Sequence, residues 1–131
     1  MRWLIAYLAT AAAMLAMDFC WLTGTAAFYR SQIGPLLLAQ PRLGPAAAFY
    51  LIYVAGVVLF VVMPSLSKTG WHAALAKGAA FGLVTYATYD LTNLATLKGF
   101  PDILVAADLT WGCVITAVAA TVGRAAARRF G

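Results

Sequence analysis

Only four residues of the 131 are acidic, all of them aspartates, and three sit within apolar stretches: Asp18, Asp90 and Asp108. A carboxylate at the centre of a bilayer costs about 2.5–3.5 kcal/mol on insertion scales, so it turns toward neighbouring helices or a wet cavity. Three such groups together at low dielectric cannot all stay ionised cheaply, and a proton or a cation must lie among them. The chemistry on offer is therefore binding of a proton, a cation or a cationic group. The competing reading is that the acids pin helices together by hydrogen bonds to Trp21, Trp111, Tyr86, Tyr89 or Arg30. The residues alone leave both readings open.

Their immediate neighbours repeat a pattern. Asp18-Phe-Cys-Trp21 and Asp108-Leu-Thr-Trp111 share Asp-x-x-Trp, and Asp90-Leu-Thr-Asn93 has an amide in place of the indole. Residues three or four apart share a helix face, so each acid has a ring or amide beside it, and Tyr86 joins the face of Asp90. The candidate binding set is Asp18, Trp21, Tyr86, Tyr89, Asp90, Asn93, Asp108 and Trp111, with Arg30 as a nearby cation. Two four-residue matches are too short to establish an internal duplication.

Other chemistry has little support. There is no Ser-His-Asp set, phosphate loop or cofactor fingerprint, so no catalytic residue and no cofactor is expected. His72 is the only histidine and has no second ligand in reach, so no metal site is expected. Cys20 and Cys113 read as small buried hydrophobes.

The elements that must hold these residues follow from composition. The chain is 64% hydrophobic and only 10% charged, too little polar surface for a soluble domain. Apolar runs predict an all-α integral membrane protein, a single domain over residues 1–131. Its four antiparallel transmembrane helices are expected at about 3–22, 46–63, 71–97 and 103–122. Arg2 before an apolar run resembles a signal peptide, but the length of the run favours a retained span. Residues 24–45 carry Pro35, Pro41 and Pro45 together with Leu36, Leu37 and Leu38. They predict a broken amphipathic segment, re-entrant or lying at the membrane surface. Gly78 and Gly82 on the third span, and Gly112 and Thr116 on the fourth, offer close-packing faces. The third-span glycines could also serve a homodimer.

The net charge of +5 is not gathered on one face, so no nucleic acid is expected as a partner. The bases stand at span ends: Arg2, Lys68, Lys77, Arg124, Arg128 and Arg129 on one side, Arg30, Arg42 and Lys98 on the other. That bias predicts that both termini are cytoplasmic, with the last three arginines forming a basic stop. In this orientation Asp18 lies about 16 residues, roughly 24 Å, along an outgoing helix, and Asp90 about 19 residues along the other. Asp108 lies near the start of a returning helix. All three reach the outer half of the bilayer.

The stretches Asp18–Trp21, Phe28–Arg30 with Ile33–Pro35, Tyr53–Gly56, Tyr86–Asn93, Thr96–Lys98 and Asp108–Gly112 resemble a family of small bacterial membrane proteins, domain of unknown function 2177. The resemblance implies four helices in the inner membrane and brings no activity with it. Three function classes stay open. One is transport or binding of a proton, cation or small cationic solute, as a dimer by analogy with small multidrug transporters. Another is a non-catalytic accessory or assembly subunit of a larger membrane protein complex. The third is a lipid-modifying membrane enzyme.

Overall fold

The computed structural model describes residues 1–131 as four helices joined by three short connections. We number them α1 (Arg2–Ile33), α2 (Leu43–Ser65), α3 (His72–Thr96) and α4 (Asp102–Phe130). There are no strands. Helices α1, α2 and α4 are long and apolar enough to cross a membrane. Helix α3 has 25 residues, or about 38 Å of length, but more polar side chains, and it lies against α4. The expected all-α membrane bundle is observed, and Arg2 and Gly131 meet at one end of it.

Helix boundaries depart from expectation in three places. Gly24 does not end α1, which continues to Ile33. One glycine costs a helix about 1 kcal/mol, and the helix-forming residues around it outweigh that cost. The chain instead leaves the helix through a 3₁₀ turn at Gly34–Leu36, where Pro35 cannot continue it. In α2 a wide π turn occupies Val58–Val62, just before Pro64. Proline lacks the N–H that would bond back one turn, and the widened turn accommodates that missing bond. Helix α4 runs on to Phe130, so the basic tail is helical, with Arg128 and Arg129 exposed in its last turn. Arg124 is buried and donates from Nε to the Ser65 carbonyl (3.1 Å) and from Nη2 to the Lys68 carbonyl (2.6 Å). It closes the turn between α2 and α3.

Small residues let α4 run through the middle of the bundle. A methyl group on Gly82 would strike the Gly112 carbonyl, and one on Gly78 would meet the Ala117 and Thr116 backbone. The two close-packing faces thus pack on each other within one chain. That overturns the expectation that Gly78 and Gly82 serve a dimer, because their face is already covered. Gly123 makes the matching close approach to Thr10 on α1.

Packing is uneven along the bundle. At the end holding the termini, Ala6, Met14, Val57, Val61, Ile115 and Ala119 form a closed apolar core. At the other end the first three turns of α2, from Leu43 to Ile52, bury no residue fully. Burial in α2 begins at Tyr53. The bundle is therefore shut at one end and cleft at the other.

Candidate functional site

The cleft is built from aromatic residues whose hydrogen bonds converge on carboxylates. Asp18, buried on α1, accepts from the Tyr50 hydroxyl of α2 (2.5 Å) and from the Trp111 indole of α4 (3.0 Å). Asp108, on α4, accepts from the Tyr29 hydroxyl of α1 (2.8 Å), and Tyr29 in turn accepts from the Trp21 indole (3.2 Å). The two indoles stack, with ring centroids 4.5 Å apart and planes within 6°. Each acid is thus served from the opposite helix, and the rings of the two Asp-x-x-Trp patterns lie face to face between them.

Asp90 differs. It has no solvent exposure, and neither carboxylate oxygen has a hydrogen-bond partner. Asp108 lies beside it and interacts with it directly, though no hydrogen bond of ordinary geometry joins the two. The three acids do not form a group that could hold one metal ion together.

A cavity of about 310 Å³ opens among these groups, walled by Asp18, Trp21, Tyr29, Tyr50, Tyr86, Tyr89, Asp108 and Trp111 and by aliphatic chains such as Leu22 and Leu104. A second, of about 220 Å³, shares Phe49, Tyr86, Tyr89 and Asp108 with it and extends to Tyr53 and Thr85. Tyr53 closes the floor through hydroxyl contacts with Thr116 (2.7 Å) and Thr85 (3.0 Å). Below this tier lies the apolar core. The cleft is therefore a greasy aromatic pocket with few polar groups, two of them the carboxylates Asp18 and Asp108.

Of the sequence candidates, Asp18, Trp21, Tyr86, Tyr89, Asp108 and Trp111 line the cleft, and Asp90 sits behind it against Asp108. Asn93 is half-buried and lines neither cavity. Arg30 is exposed and lies in an adjoining cavity, not among the acids. The cysteines are not buried as expected: Cys20 faces outward and Cys113 is half-buried.

Two residues escaped the sequence reading. Tyr50, in the second span, is not among the sequence candidates, yet it donates to Asp18. Tyr29 fell in the segment expected to be broken. With α1 continuous, Tyr29 comes eleven residues after Asp18, just over three full turns, so both share one stripe. That spacing was the available signal, hidden by ending the span near Leu22.

Residues 3–125 match the model of a family described as "Predicted membrane protein (DUF2177)". No curated protein and no solved structure matches the chain.

Proposed function

The chain belongs to that family of predicted membrane proteins, and from this premise we propose that it binds a cationic group in the aromatic cleft. We place the cleft in the outer half of the membrane, with both termini cytoplasmic, on the strength of the basic residues at the span ends; that this is a bacterial inner membrane is what the family resemblance implies. Asp90 carries the reading. A buried carboxylate without a donor is costly, and a bound proton or cation nearby relieves that cost.

The walls suit an organic cation. Aromatic faces attract ammonium groups within about 6 Å of their centroids, and Trp21, Tyr50, Tyr86, Tyr89 and Trp111 all face the cavity. Its volume of about 310 Å³ lies at the lower bound of small-molecule sites, which run from about 300 to 1,000 Å³. Carboxylates that do not converge on one point suit a diffuse cation better than Ca²⁺ or Mg²⁺, which take six or more oxygens. The closed apolar core beyond Tyr53 is the barrier that movement of the ligand across the membrane would have to open.

Tetramethylammonium is the test ligand, titrated against the tryptophan fluorescence of purified protein in detergent. We expect a saturable change, because the stacked Trp21 and Trp111 line the cavity. Asp90→Asn and Asp108→Asn should stay folded and lose about tenfold or more in affinity. A flat titration in folded wild type would end the proposal. If binding holds, flux through proteoliposomes separates a transporter from a binding protein.

A further inference from the structure

Next to the aspartate cleft lies a larger cavity of about 570 Å³, lined by Leu22, Ala26, Leu37 and Leu38 with Arg30 on its wall. The two cavities share Leu22, Tyr29 and Leu37. They are adjoining lobes of one groove, and Tyr29 is the ridge between them. Its hydroxyl belongs to the acid network through Asp108, while Arg30, the next residue, faces the other lobe. One lobe is anionic, the other cationic, and the surface joining them is apolar.

We propose that the ligand of this groove is a zwitterionic phospholipid with an ammonium headgroup, its ammonium in the aspartate lobe and its phosphate on Arg30. This rests on the cation-binding reading above and adds the second charge and the tail. In such a lipid a short spacer separates a positive group from a phosphate, and the acyl chains leave from the phosphate side. The groove offers the same three elements: carboxylates and rings in one lobe, a guanidinium suited to phosphate in the other, and an aliphatic wall in which Leu22 and Leu37 line both lobes and Leu38 the second.

The loosely packed start of α2 leaves the side of the bundle open to an entering lipid. An arginine in the last turn of a helix also interacts favourably with the helix dipole. That role needs no aspartate lobe beside it and predicts no preference among lipids.

The test titrates wild type, Arg30→Gln and Asp108→Asn with three probes, read by tryptophan fluorescence. These are a short-chain phosphoethanolamine lipid, its phosphoglycerol counterpart, and tetramethylammonium. The phosphoethanolamine lipid should bind wild type saturably and in preference to phosphoglycerol. Arg30→Gln, an exposed substitution, should weaken that lipid by about tenfold or more and leave tetramethylammonium unchanged. Asp108→Asn should weaken both. The lipid assignment is overturned if Arg30→Gln leaves phosphoethanolamine binding intact, or if phosphoglycerol binds as tightly. Tetramethylammonium binding without lipid binding overturns the lipid alone, and binding of neither removes the cation site as well.

Discussion

The Trp111 indole donates to Asp18 across 93 positions of chain while its ring lies flat on Trp21, three residues beyond that same aspartate. One side chain therefore locks α4 to α1 twice, by a hydrogen bond and by a stacked pair. Trp21 completes the exchange by donating to Tyr29, which donates to Asp108 on α4. The helices are pinned and the cavity wall is formed by the same atoms. For Asp18 and Asp108, pinning and binding are not alternatives.

Removing the indole N–H while keeping a ring isolates the hydrogen bond. Trp111→Phe should destabilise the bundle by about 1–2 kcal/mol, followed as unfolding in a denaturing detergent. Trp21→Phe should cost less, because Tyr29 still donates to Asp108 without it. Equal losses would mean that the stack, and not the bond to Asp18, holds α1 to α4.

Asp90 should respond in the opposite sense. It has no donor to lose, and its neutral isostere relieves the burial of a charge. Asp90→Asn should be at least as thermally stable as wild type while losing the ammonium ligand. A clear fall in melting temperature would instead make Asp90 a structural pin.

The glycines divide sharply. Gly82→Ala must push the Gly112 backbone away, with a cost of about 1–3 kcal/mol or more from overpacking. Gly24→Ala meets nothing within 4 Å in mid-helix and should stabilise by about 0.5–1 kcal/mol. Comparing the two variants in one unfolding assay checks both, and a stabilising Gly82→Ala would refute the packing of α3 on α4.

Arg124 closes the turn between α2 and α3 at two carbonyls. Hydrogen bonds from a charged donor contribute about 1.5–3 kcal/mol, so Arg124→Ala should lose stability on that scale. Faster hydrogen exchange should appear at Ser65 to Lys68. Arg124→Lys should recover only part of the loss, since an ammonium lacks the fork that reaches two acceptors. Exchange unchanged in that turn would count against the role.

Membrane residence and helix number are written in composition and run length, because hydrocarbon admits only backbone that satisfies its own hydrogen bonds. The three acids and their rings were legible for the same reason: a carboxylate within an apolar run stands out against its cost. The turns were legible too, with Gly70 and Gly99 at positive φ (73° and 74°), a conformation that glycine adopts freely.

Pairing across helices was not legible. Which ring serves which acid depends on helix rotation and depth, and helical periodicity alone gives neighbours on one helix only. Trp21 and Trp111 are each three residues from an aspartate, yet Trp111 bonds the other helix's acid and Trp21 bonds Tyr29. Only the tertiary structure decides that exchange, because α4 must approach α1 and α3 at Gly123, Gly82 and Gly78 before any side chain can reach across. It also decides that Asp90 has no partner, since an unmade bond depends on what every other helix places around it.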